Sequence, residues 1–342
     1  VGSEMCIRDR DIIVEVMGGI TPSKEYIFSA LEHGLSVVSA NKDLVALYGP
    51  DIIHKAIENH VNFSCEASVG GGIPILMPLH QSLAANQIES IVGILNGTTN
   101  YILSQMTETG VNYANALADA QKQGFAEADP TNDVCGFDAA RKLAILSSIG
   151  FRANVTFDDV LVEGIEKIDK SDIQYAKDMG YTIKLLTVAL RQENGIALNV
   201  YPAFLPDNHP LSSVKGAYNA IYVTGNIVDD VMFYGRGAGA LPTASAVMGD
   251  VISTAQHILN GSTGTGMIMT DTKRIPFYSS LKLQNSYYFR LDVDDVTGVL
   301  SQIAAAFAEN DISICEVVQK RKTKGLAELV LITCLLYTSP SP

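Results

Sequence analysis

Basic residues are scarce in this chain: Lys and Arg total 24 against 37 Asp and Glu, a formal charge of −13. A surface so acidic repels the phosphate backbone of nucleic acids and disfavours a nucleic-acid partner. Long apolar runs are missing too. None reaches the roughly 18 residues needed to span a bilayer, and no basic segment leads into an apolar core, which predicts a soluble cytoplasmic protein without a membrane partner. Cys6, Cys65, Cys135, Cys315 and Cys334 form no CxxC pair and have no histidine at zinc-ligand spacing, so they read as ordinary thiols. There is no HExxH cluster and no GxSxG nucleophile elbow, which removes the hydrolase readings. The GxGxxG turn of a dinucleotide-binding fold is also lacking.

What remains is the composition of a globular chain of two or three domains: 342 residues, 47% hydrophobic and 18% charged. VGSEMCIRDR (1–10) and CLLYTSPSP (334–342) resemble translated adapter sequence or frayed termini and carry no function on either reading. Natural sequence is therefore expected over 11–333. An apolar run from Asp11 to Met17 ends at Gly18 and Gly19, as a buried parallel strand does. Thr21 as N-cap and Pro22 at the first position open a helix with Tyr26, Ile27, Ala30 and Leu31 facing inward, stopped by Gly34. A strand (Leu35–Ala40), a helix (Pro50–Asn59) and a strand (Val61–Glu66) follow.

Residues 11–67 thus read as part of a doubly wound, Rossmann-like α/β domain whose first strands would need roughly 70 further residues, at about 30 per crossover unit. The stretch 68–235 reads as an α+β catalytic and dimerisation domain, with strands at Ile88–Leu95, Thr182–Arg191, Ile196–Phe204 and Ala217–Thr224. Residues 236–262 contain a long helix, Leu241–Leu259, returning to the first domain. Residues 279–333 read as strand, helix, strand, strand, the first three-quarters of a ferredoxin-like module.

Chemistry concentrates in Ala118 to Lys142, where Glu127, Asp129, Asp133 and Asp138 precede one lysine. Asp138 and Lys142 are four apart and share a helix face. They are either an exposed ion pair or, since Ile145 and Ile149 continue the stripe, an inward-facing one able to exchange a proton with a substrate hydroxyl. Lys42, in SANKD, stands at the carboxyl edge of the sheet, as a solvated loop lysine or a ligand-site residue. Glu66 before SVGGGIP is either a tight turn or an oxygen site for a hard cation. In ILNGTTNYI, Thr98 is a candidate helix cap, with free N–H groups beside it able to hold a carboxylate.

SANKD, CEASVGGGIPI, GILNGTTNYIL, GFAEADPTNDVCGFDAARK and YGRGAGALPTASAVMGD together resemble the homoserine dehydrogenase family, in its order and spacing. The resemblance covers Asp11 to Thr333. It implies NAD- or NADP-dependent interconversion of L-homoserine and L-aspartate 4-semialdehyde, on the route to threonine and methionine. Carried over residue by residue, Lys142 is the proton donor and acceptor, with Lys42 beside it near the nicotinamide. Glu127 and Asp138 hold the substrate ammonium with support from Asp133, and Thr98 and Gly124 border the substrate. Gly18, Gly19, Asn41, Lys42, Gly124 and Gly239 border the cofactor. Glu66 with the carbonyls of Val69, Gly71 and Ile73 binds sodium. The segment from Ser279 resembles an ACT regulatory module, with threonine as effector, and the family implies a homodimer or homotetramer. A dead dehydrogenase scaffold serving as an amino-acid sensor, and the back half of an aspartate kinase fusion, are the rival readings.

Overall fold

The computed structural model describes residues 10–264, 275–277, 284–321, 325–334 and 336–337. Residues 1–9 of the expected extension at 1–10 lie outside them. The chain packs as one compact unit up to Phe277 and a second beyond it.

In the first unit, β1 (Ile12–Glu15), β2 (Ser36–Ser39) and β3 (Phe63–Ser64) form a parallel sheet in that order. Parallel neighbours require crossovers, here α1 (Ser23–Glu32) and α2 (Lys42–Glu58). Helix α1 starts after Pro22, so Thr21 is not its cap, and Tyr26 of the expected inward stripe is exposed. Helix α2 begins at Lys42, well before the expected Pro50, because the Asn41 side chain caps it by accepting from Leu44 N–H at 3.2 Å. Pro50 lies inside this helix, where it costs one backbone hydrogen bond. Burial of Leu44, Val45, Ile52 and Ile53 outweighs that local loss.

The second sheet has six strands in the order β5 (Leu161–Val162), β7 (Gly195–Pro206), β6 (Tyr181–Gln192), β4 (Ile88–Ile94), β8 (Tyr218–Gly225) and β9 (Asp229–Arg236). All its pairs are antiparallel except β5 with β7. Strand β9 was not expected, since edge strands alternate weakly and DDVMFYGR opens on two acids. Against the sheet pack α3 (Gly97–Thr109), α6 (Phe137–Phe151) and α7 (Lys170–Asp178), while α4 (Tyr113–Lys122) and α5 (Thr131–Val134) join α3 to α6. One apolar core runs without a break from Ile27 and Val37 through Ile102, Leu143 and Ile145 to Ile183 and Ile221. The two sheets are therefore held on a shared core, which sets the separation of the groups projecting between them.

Helix α8 (Ala240–Leu259) packs on β1 and β2. The turn before it meets the loop after Glu66 very closely. A Cβ on Gly71, whose φ is +57°, would stand 2.5 Å from the Gly237 carbonyl oxygen. Both the left-handed backbone and the contact with main chain oppose a side chain, so Gly71→Ala is expected to lower stability by roughly 2–4 kcal/mol. Urea unfolding reads this directly, and a loss under about 0.5 kcal/mol would contradict the close packing.

In the second unit, β11 (Tyr288–Asp294), α9 (Val299–Glu309), β12 (Ile314–Arg321) and β13 (Leu326–Thr333) follow in the expected order. Strand β13 lies between β11 and β12 and is antiparallel to both, the split βαβ arrangement of a ferredoxin-like module.

Candidate active site

Helix α6 follows Gly136, which takes a left-handed φ of +85°, and it carries Asp138 and Lys142 inward on the stripe of Ile145 and Ile149. The inward alternative is thus the one realised. Asp138 is 5% exposed. Its Oδ2 accepts from Lys142 Nζ at 2.7 Å and from Asn96 Nδ2 at 2.8 Å, and its Oδ1 accepts from Lys42 Nζ at 2.5 Å. Asn96 also donates to Asp133 Oδ1 at 2.7 Å, and Lys142 donates to the Leu95 carbonyl at 2.9 Å. Burial alone would raise the Asp138 pKa, but the two lysines beside it hold the carboxyl well below the usual range. Burial likewise pulls Lys42 down, and the attraction of Asp138 more than offsets it, leaving Lys42 above the ordinary lysine value. Asp133 is raised, chiefly by burial.

A cleft of ≈ 460 Å³ opens on this cluster and is walled by Gly19, Lys42, Asp43, Glu127, Asp129, Asp133, Asp138 and Arg141, among others. Acidic groups dominate its walls, which suits a small ligand carrying an ammonium. Lys142, its side chain 12% exposed, is bonded to Asp138 and is not among the residues that wall the cleft. Asp138, expected to face the substrate ammonium, accepts here from Lys42 on Oδ1 and from Lys142 and Asn96 on Oδ2. Glu127 and Asp129 are exposed carboxylates on the same wall. Thr98 does not cap α3: Asn96 does, accepting from Thr99 N–H at 2.8 Å, while the Thr98 hydroxyl donates to the Phe125 carbonyl at 2.6 Å. Gly124 is a left-handed residue at the end of α4, beside Phe125.

The Gly18–Gly19 turn follows β1, and both residues have positive φ, +73° and +69°. Glu15, which sequence reasoning passed over, builds it. Its carboxylate accepts from the N–H groups of Met17 and Gly18 at 2.8 and 3.3 Å and from the Ser39 hydroxyl at 2.8 Å. The signal was a lone carboxylate inside an apolar strand. Asn41 Nδ2 donates to the Gly19 carbonyl at 2.6 Å, so this side chain shapes the turn. A Cβ on Gly18 or Gly19 would meet nothing within 4 Å. Open backbone of this kind beside Lys42, at the carboxyl end of a parallel strand, fits the flat face of a nicotinamide.

The Glu66 carboxylate accepts from the N–H groups of Ile75, Leu76 and Met77 at 2.5, 2.8 and 2.9 Å. Gly239, at the start of α8, belongs to the turn that packs on the Gly71 loop. A larger cleft of ≈ 500 Å³, lined by Glu66, His80, Asp250 and His257 among others, contains no lysine. Size does not locate the chemistry here. Among the described residues, no three His, Cys, Asp or Glu side chains gather as a metal centre, and no helix is long and apolar enough to cross a membrane.

The open-backbone turn on a parallel sheet shares one cleft with Lys42 and Asp138, and by its family the chain is an NAD(P)-dependent oxidoreductase. Residues 2–66 match the profile of the homoserine dehydrogenase NAD-binding domain, and residues 74–252 match homoserine dehydrogenase itself. The chain belongs to the homoserine dehydrogenase family and interconverts L-homoserine and L-aspartate 4-semialdehyde with NAD(P). It is 42% identical to the homoserine dehydrogenase of Bacillus subtilis (strain 168) over 95% of this chain and 75% of that one. With the enzyme of Mycobacterium tuberculosis (strain H37Rv) it shares 47% identity over 91% of this chain and 71% of that one. The crystal structure of the Thiobacillus denitrificans enzyme superposes with a TM-score of 0.91 at 40% identity, covering 96% of this chain and 76% of the other. A hyperthermophilic archaeal homoserine dehydrogenase in complex with NADPH is 28% identical, with a TM-score of 0.63 and 72% coverage of each chain.

Proposed function

We propose that Lys142, as the neutral amine, takes the hydroxyl proton of homoserine and becomes the ammonium that Asp138 holds, and that this ammonium returns the proton to the aldehyde oxygen in the reverse direction, with the Lys42 ammonium beside it on the same carboxylate. The observation that carries this reading is the pair of Asp138 contacts, 2.7 Å to Lys142 and 2.5 Å to Lys42, next to the open Gly18–Gly19 turn. When bound, NAD(P) supplies the acceptor for the hydride leaving C4. Gly18, Gly19, Lys42 and Gly124 border it, and Gly239 lies at its edge. Asp133, fixed by Asn96, supports the acidic wall on which Glu127 receives the substrate ammonium. Incubating the protein with homoserine and NAD or NADP, and following reduced nicotinamide, tests the assignment and reads the cofactor preference. No turnover with either would defeat it.

Glu127→Gln removes an exposed carboxylate and is expected to raise KM for homoserine about tenfold or more, while KM for the cofactor changes less than about twofold. Equal rises for both ligands would place Glu127 in a structural role. Glu66, whose carboxylate already accepts three backbone N–H groups, would with the carbonyls of Val69, Gly71 and Ile73 supply oxygen ligands for sodium. The module of β11, α9, β12 and β13 serves as an ACT regulatory unit with threonine as effector, and the enzyme works as a homodimer or homotetramer in the cytoplasm. Inhibition by threonine and the mass in solution check these two points.

A further inference from the structure

Among the buried charged side chains outside this chemistry is a lysine. Lys184, on β6, is 2% exposed and alternates with Leu186 and Val188 toward a small apolar cluster. Its ammonium donates to Asn100 Oδ1 at 3.0 Å and to the Val214 carbonyl at 2.5 Å. Burial pulls its pKa down to about 8; the charged groups acting on it are Glu108 and Lys215, themselves paired at 2.9 Å. An ammonium held by neutral oxygens in such a place is costly to keep.

The partner explains its use. Asn100, 1% exposed, accepts from the Lys184 ammonium on Oδ1 and spreads its Nδ2 over the carbonyls of Val214, Gly216 and Tyr218 at 3.2, 2.9 and 3.0 Å. One turn further along α3, the Ser104 hydroxyl accepts from Gly216 N–H at 3.2 Å. At the head of the helix a Cβ on Gly97 would meet the Ala217 carbonyl at 2.9 Å. The 214–218 segment is thus clamped along the first turns of α3. One turn before Asn100 stands Asn96, which holds Asp138 and Asp133, and before it Leu95, whose carbonyl holds Lys142.

We propose that Lys184 is a positioning residue: through Asn100 it locks the first turns of α3, and so places the Leu95 carbonyl and the Asn96 amide that aim Lys142 and Asp138. This rests on the role assigned to Lys142. In the full enzyme, Lys184→Met removes the ammonium while keeping an unbranched side chain. It is expected to lower kcat about tenfold with KM for the cofactor within about twofold, and to shift the pH profile of kcat. Combined with Asn96→Ala it should lower kcat little further than Asn96→Ala alone, within about threefold, because both act on one network. Lys184→Gln, which retains N–H donors, should recover part of the loss. A folded Lys184→Met enzyme with kcat within twofold of wild type overturns the proposal, as do effects that simply multiply in the double variant. Failure of both the Met and Gln variants to fold also overturns it, making Lys184 a folding residue. Lys142→Ala measured alongside separates the two readings. If that variant is unimpaired the proton-transfer role falls, whereas impaired Lys142→Ala beside normal Lys184→Met removes only the positioning role.

Discussion

Lys142→Ala is expected to lower kcat by roughly 10²–10⁴-fold, the range that a positioned acid or base contributes, with KM for the cofactor little changed. Two of the three N–H donors of Lys142 are accounted for, by Asp138 Oδ2 at 2.7 Å and the Leu95 carbonyl at 2.9 Å. The remaining proton is the one available to a substrate oxygen. Lys142→Arg should fail as well, since a guanidinium does not release its proton near neutral pH and its planar fork cannot repeat this geometry. Steady-state kinetics in both directions gives the result. Because Lys42 is among the residues that wall the cleft and Lys142 is not, Lys42→Ala is the necessary companion. A Lys142→Ala enzyme within twofold of wild type, beside a crippled Lys42→Ala, would transfer the proton-handling role to Lys42.

The second large effect is expected at Asp138. Replacing it by Ala leaves the Lys142 and Lys42 ammonium groups without the carboxylate that bonds both, with Asp133 and Asp43 as the remaining nearby counter-charges, and loss of one member of a buried ion pair costs about 3–5 kcal/mol. Lys42 is 38% exposed at its side chain, so solvent relieves part of this and the lower end applies, about 3 kcal/mol. Asp138→Asn keeps the shape, loses the charge, and should also reduce kcat. The pH dependence follows from the direction of the shift. The Asp138 pKa is depressed in the folded protein, so its contribution is complete above the unfolded carboxylate pKa of about 3.9 and is lost as pH falls from there toward the lower folded value. The stability gap between wild type and Asp138→Asn should therefore be full at neutral pH and shrink as the medium is acidified below about pH 4. A gap that stays constant through that range would mean the lysines are not what holds this carboxyl down.

Much of the fold was legible because local periodicity reports burial. The inward stripe of α6 placed Asp138 and Lys142 on the core side, and the apolar run ending at Gly18–Gly19 marked β1 and its turn. Where the signals competed, tertiary packing decided. Pro50 looked like a helix start, but the apolar stripe of α2 runs through it, and Thr98 looked like a cap although Asn96 has the right offset to accept from Thr99. Asn41 and Thr98, expected at ligands, use their side chains on backbone that shapes the turn and the α4 end.

The sequence by itself determined the family, the two kinds of sheet and the pairing of Asp138 with Lys142, because each depends on residues close along the chain or on motifs read in order. Only the tertiary structure decided that Asp138 also binds Lys42, 96 positions away, that Asn96 bridges two carboxylates, and that Lys184 answers to Asn100 across 84 positions. Helix and strand periods say which face a side chain takes. They do not say which distant polar group meets it there, a choice made when the shared core brings β4, α3 and α6 to their final separations and a buried polar atom without a partner is costly.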